Sequence, residues 1–173
     1  MDKPTETHCN VVGYKSSSPE LWERAFSFAF VRNPWDRFVS AFHYLKRDPL
    51  SVDDKSWAEE VLGEYDDFDA FLDRFMTSTR FRGQVMMWRH FSPQWWFLSD
   101  AAGKTAVDHI CRFESFDSEI DRVAEKIGLS AQRVHANKVS RAHYSSFYTP
   151  GTIDFVARVY KQDVERFDYS FDR

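Results

Sequence analysis

The chain has 173 residues, a net charge of −4 and 17% aromatic residues, 17 of them Phe. That is the length of a single domain (residues 1–173) with ample apolar surface for a core. The acidic balance argues against a general nucleic-acid binder, for which a basic stripe is expected, so any anion site must be local. Cys9 and Cys111 are too few for a disulfide framework and too isolated for a structural metal site. His43, His90, His109, His135 and His143 show no metal-ligand spacing either. No stretch approaches a membrane span, and the first residues, Met-Asp-Lys-Pro-Thr-Glu-Thr-His, lack an apolar leader core. A soluble, cytoplasmic protein with no membrane partner is expected.

In chain order, residues 10–18 (Asn-Val-Val-Gly-Tyr-Lys-Ser-Ser-Ser) come first. They have the residue types of a degenerate phosphate loop but no convincing strand before them; a loop capping the next helix is the alternative. Phe26, Phe28 and Phe30 alternate with Ser27 and Ala29 and lead into Val31, which predicts a largely buried strand. Asn33 is a good helix N-cap, Pro34 suits the first helical position, and Asp36 complements the helix dipole. Trp35, Phe38, Val39, Phe42 and Leu45 fall on one helical face, while Arg37, Ser40 and Tyr44 share another. Residues 46–56 read as a charged break. A helix follows at 66–77 with Phe68, Phe71, Leu72 and Phe75 inward. The aromatic run 84–98 resists assignment. Val107–Phe113 predicts a second strand, 117–127 a helix stopped by Gly128, and Thr149-Pro150 the start of a last helix reaching Phe167. Strands separated by helices predict an α/β fold.

The corner at residues 26–42 carries most of the functional information. Arg32 at the strand end and Ser40 one to two turns into the helix can reach one small anion. An arginine fork and a hydroxyl suit a phosphate monoester. The residues alone also allow Arg32 simply to pair with a carboxylate. The wording Arg32-Asn33-Pro34-x-x-Arg37-x-x-Ser40 also resembles the 3′-phosphate motif of sulfotransferases that use 3′-phosphoadenosine 5′-phosphosulfate (PAPS). Over most of its length the chain resembles the carbohydrate-type, family-2 sulfotransferases. Besides the motif, the likeness rests on Trp22, Pro93-Gln94, Arg112-Phe113-Glu114, Asn137-Lys138, Tyr144, Tyr148, Val159–Asp163 and Phe167–Phe171, in that order.

The resemblance implies a helix-rich α/β, P-loop-NTPase-like core with a parallel sheet flanked by helices. It also implies incompleteness at the N-terminal edge, where the loop for the 5′-phosphosulfate is not evident; an edge so exposed invites self-association. The implied activity moves a sulfuryl group from PAPS to a hydroxyl or amine of a carbohydrate acceptor, with no metal. Arg32 and Ser40 would bind the 3′-phosphate, and Lys138 would approach the sulfuryl group or nucleotide. Arg37 would brace the corner through Asp36 or Glu114, with Glu114 a buried, structural partner. His8, at the family's spacing before Trp22, is the candidate general base. The Trp-rich residues 86–97 either line the acceptor side or pack in the core. Two alternatives remain. One is an inactive remnant that binds nucleotide or a partner. The other is a nucleotide kinase, against which the absence of a Gly-x-x-x-x-Gly-Lys-Ser/Thr loop counts.

Overall fold

The computed structural model describes residues 10–47, 49–130 and 142–172. In chain order they form α1 (Val11–Ser17), α2 (Pro19–Arg24), β1 (Phe28–Val31), α3 (Pro34–Arg47), α4 (Val52–Leu62) and α5 (Phe68–Thr77). Then come α6 (Thr79–Met86), α7 (Gln94–Leu98), β2 (His109–Arg112), α8 (Phe116–Lys126), α9 (Pro150–Val159) and α10 (Lys161–Arg166). Short 3-10 turns lie at Phe113–Ser115 and Tyr144–Phe147. The chain divides into two compact units, Met1–Arg32 with Gln94–Arg141, and Asn33–Pro93 with Ala142–Arg173. No helix among the described residues is long and apolar enough to cross a membrane.

In the first unit β1 and β2 pair in parallel, in register from Phe28↔His109 to Val31↔Arg112. A parallel pair needs a long crossover, and here the chain passes through most of the second unit between the two strands. The register sets Phe28 and Phe30 beside His109 and Cys111. Helix α8 covers that face, with the Phe116 ring 4.8 Å from Phe30. Before the ladder starts, the Ser27 N–H and hydroxyl both donate to the Asp108 carboxylate, at 2.8 and 2.7 Å. The strand is less buried than its alternation predicts. Phe26 and Phe30 are half-buried, Phe28 is 40% exposed, and Val31 alone is fully enclosed. Two short strands offer too little area to bury every ring.

The helix ends of this unit follow their sequence signals. Asn10 Oδ1 accepts from the Gly13 N–H and caps α1, while Pro19 occupies the first turn of α2. Residues 11–17 are therefore a capped helix and not a phosphate loop. At the other end Gly128 takes a positive φ of 71°. Its N–H donates to the Glu125 carbonyl and that of Leu129 to the Ala124 carbonyl, the paired bonds of a Schellman stop.

In the second unit α3 buries Trp35, Phe38, Val39, Phe42 and Leu45, the face that the period predicts. Phe38 has ring neighbours at 5.0–6.0 Å in Phe68, Phe71, Phe75, Phe91 and Tyr160. Each buried ring of this kind contributes roughly 1.5–3 kcal/mol through the area removed from water. Helix α4 occupies part of the stretch that reads as a charged break. It is held by Asp54, which is 2% exposed and accepts from Trp88 Nε1 at 3.2 Å and Arg89 Nη2 at 2.8 Å. His90 Nε2 lies 3.1 Å from both of its oxygens. The final helix is also two helices. Tyr160 leaves helical geometry (φ −100°, ψ 28°), and its buried hydroxyl donates to the Phe91 carbonyl at 2.7 Å. The apolar period runs through the break, which hides it from the sequence.

Tyr144 joins the start of α3 to the C-terminal segment. Its hydroxyl oxygen accepts from Asn33 Nδ2 at 3.3 Å and from the Asp172 N–H at 2.9 Å. Burial pushes the phenol up to about 12, against the opposing pull of the Asp172 N–H. A folded-state value above the unfolded one means that this stability is present below the unfolded value and lost as pH rises. Denaturant titrations between pH about 10 and about 12 are expected to show stability falling faster in the parent chain than in Tyr144→Phe. Parallel pH profiles would show that the phenol contributes nothing to alkaline unfolding.

Candidate functional site

The predicted anion corner begins where β1 ends. Past Val31 the ladder no longer serves the peptide groups of Arg32, and a single side chain takes both. The Arg32 N–H donates to Gln94 Oε1 and the Gln94 amide donates to the Arg32 carbonyl, each at 2.8 Å. Gln94, the first residue of α7, is 8% exposed. Two enclosed bonds of this kind are worth about 1 kcal/mol each, and more is lost if one partner is removed. The Arg32 guanidinium carbon then lies 4.8 Å from the centre of the Phe113 ring, a cation–π contact. With its backbone clamped and its side chain resting on a ring, Arg32 is an ordered cation at a strand end.

Sequence reading singles out Pro93-Gln94 only as part of a family likeness. Its carboxamide can match a peptide donor and acceptor at once, a signal too common to interpret before the fold is seen. Phe113, 46% exposed, is missed because an Arg-Phe-Glu strand end draws attention to its charges. Glu114, expected to be a buried partner, is exposed in the turn Phe113–Ser115. The chain leaves the strand after Arg112, and the turn carries the carboxylate outward.

Ser40 and Arg37 lie on α3, in the second unit. The helix start is built by Asn33, which is 2% exposed. Its Oδ1 accepts from the Trp35 N–H at 3.1 Å, and its amide donates to the Ser170 carbonyl at 2.9 Å as well as to Tyr144. One side chain therefore caps the helix and ties down the C-terminal segment. Trp35 Nε1 donates to the Ile153 carbonyl, and the Tyr148 hydroxyl donates to the Trp35 carbonyl. The Arg37 guanidinium donates to backbone, to the carbonyls of Ser92 at 2.9 Å and Arg89 at 3.1 Å. Arg37 thereby satisfies the turn that follows α6. Ser40, three residues on, is half-buried.

Arg32 and Ser40 thus fall in different units, eight positions apart in the chain. His8 and Lys138 lie outside the described residues. Of the aromatic run at 86–97, Phe91 is fully buried, and Trp88 stacks on Trp57 at 5.0 Å and 6° while donating to Asp54. Met87 and Trp96 are exposed, at 85% and 50%. Core packing explains the first two rings and does not involve the exposed pair.

No curated protein and no solved structure gives a significant match to the chain. A model of the sulfotransferase family matches residues 5–170. The match takes in the strand end, the capped helix and both paired strands described above. With a parallel strand pair in a helix-rich α/β fold and a match over nearly its whole length, the chain belongs to the sulfotransferase family, among its family-2 members.

Proposed function

We propose that the protein transfers a sulfuryl group from PAPS to a hydroxyl, or an amine, of a carbohydrate acceptor, and that Arg32 and Ser40 hold the 3′-phosphate of the nucleotide. Arg32 is the observation that carries this reading. Its peptide groups are locked by Gln94 and its guanidinium rests on Phe113, so binding an anion costs little further ordering. A guanidinium and a hydroxyl are the donor set that a phosphate monoester calls for. The spacing Arg32-x7-Ser40, with Asn33 and Pro34 opening a helix between them, supports the same assignment.

In the reaction the acceptor oxygen forms a bond to sulfur as the bond from sulfur to the 5′-phosphate oxygen breaks. The electron pair stays on that phosphate, which leaves as adenosine 3′,5′-bisphosphate. As in phosphoryl transfer, positioning and charge stabilisation supply most of the rate. His8 takes the acceptor proton in this reading, and Lys138 approaches the departing charge. Exposed Trp96 offers a face on which a sugar ring can stack.

A second reading, nucleotide binding without transfer, is favoured by one observation. Residues 11–17 are a helix, so the segment with the residue types of a phosphate loop does not form one.

Calorimetry should show adenosine 3′,5′-bisphosphate binding in preference to 5′-AMP. Arg32→Ala should weaken the bisphosphate by between about tenfold and a hundredfold, the range for a hydrogen bond to a charged group. Ser40→Ala should weaken it by roughly fivefold, and neither variant should alter 5′-AMP. Equal affinity for the two nucleotides in the parent chain would overturn the assignment. With PAPS and a glycan panel, mass spectrometry is expected to find sulfated product. His8→Ala should lower that rate by about 10²–10⁴ with bisphosphate affinity retained. Tight bisphosphate binding with no product on any acceptor would establish the second reading instead.

A further inference from the structure

Sequence spacing predicts no metal site in this chain, because its cysteines are isolated and its histidines scattered. The first unit nevertheless gathers three different ligand types. His109 and Cys111 are two apart on β2, so their side chains leave the same face of the strand. Glu119 stands on α8, the helix that covers that face. Its Oε2 lies 3.2 Å from His109 Nε2, and one ligand atom from each residue falls within 4.8 Å of the other two. Cys111 is fully buried and Glu119 is 7% exposed.

We propose that His109, Cys111 and Glu119 form a binding site for a divalent transition-metal ion of the zinc type, which clips β2 to α8. The donor set is imidazole, thiolate and carboxylate, a mixture that suits zinc and not the oxygen-seeking cations. Tetrahedral zinc with bonds of about 2.0–2.3 Å sets its ligand atoms roughly 3.3–3.7 Å apart. The His109–Glu119 pair already stands at nearly that separation, and the sulfur has at most about 1.5 Å to close.

The charges balance as well. Cys111 gives up its thiol proton to solvent on binding, so a thiolate and a carboxylate together neutralise the two positive charges of the ion. The second carboxylate oxygen, Glu119 Oε1, accepts from Arg122 Nη1 at 3.1 Å. That bond aims Oε2 at the site, as outer partners of metal ligands do. A cavity of about 460 Å³ opens beside His109, lined also by Phe26, Asp108, Arg122, Val123 and Lys126. Nothing in the sulfotransferase reading requires or supplies this ion, and its role is to hold a strand to a helix.

The full chain, stripped with a chelator and titrated with Co²⁺ as a spectroscopic substitute for Zn²⁺, tests the site. One equivalent is expected to bind with a thiolate-to-cobalt charge-transfer band and tetrahedral d–d absorption. Zn²⁺ is expected to displace it and to raise the melting temperature, as a ligand of the native state alone must. Cys111→Ser should abolish the charge-transfer band. Glu119→Gln and His109→Gln should each weaken binding by at least about tenfold, with circular dichroism reporting that the variants are folded. Cys9→Ser should change nothing. The proposal fails if the folded parent chain takes up no ion or binds cobalt without the thiolate band. It also fails if the band survives Cys111→Ser and disappears in Cys9→Ser.

Discussion

A strand that ends inside a protein leaves peptide groups with no ladder to serve them, and a helix that begins at once leaves more. Residues 31–35 face both demands within five positions, and the rest of the corner follows from how they are met. Gln94 takes the donor and acceptor of Arg32; Asn33 serves the first turn of α3 and the Ser170 carbonyl. Neither side chain touches substrate in the proposed reaction. Gln94 fixes the backbone at the end of β1, and Asn33 fixes the start of α3. In a corner so constrained, loss of a neutral amide is as serious as loss of the arginine, because a buried peptide group is costly to strand.

What the sequence reveals and conceals can be traced to particular residues. The N-cap Asn33, the buried face of α3 and the stop at Gly128 are written in local chemistry, and local chemistry decides them. Residues 52–56 read as part of a charged break because the inward face of α4 includes a carboxylate. Asp54 is tolerated there only because Trp88, Arg89 and His90 converge on it from some 35 positions away. The division at Tyr160 is equally hidden, since a phenol bound to the Phe91 carbonyl interrupts a helix whose apolar period never falters. Of the candidate site, Arg32 and Ser40 were legible as a motif. The groups that order Arg32 were not, for Gln94 and Phe113 acquire their roles only when distant segments meet.

The same logic accounts for His109, Cys111 and Glu119. Metal motifs are recognised when ligands recur at short, regular intervals on one element. Here two ligands use the period of a strand and the third sits on the next helix, so the pattern changes period midway. A buried carboxylate beside a buried thiol is an unfavourable pairing in isolation: burial, reinforced by the Glu119 charge, pushes the Cys111 thiol up.

The parallel pairing of β1 with β2 joins residues 81 positions apart, with Ser27 bonded to Asp108 at its mouth. On a ribosome adding roughly 5–20 residues per second, β1 waits about 4–16 s for its partner to be synthesised. Throughout that interval Phe26, Phe28 and Phe30 stand on an unpaired strand, the kind of segment that neighbouring nascent chains can capture. The second unit's first stretch, Asn33–Pro93, is made in the meantime. The birth order of this chain leaves its most apolar strand the longest unguarded.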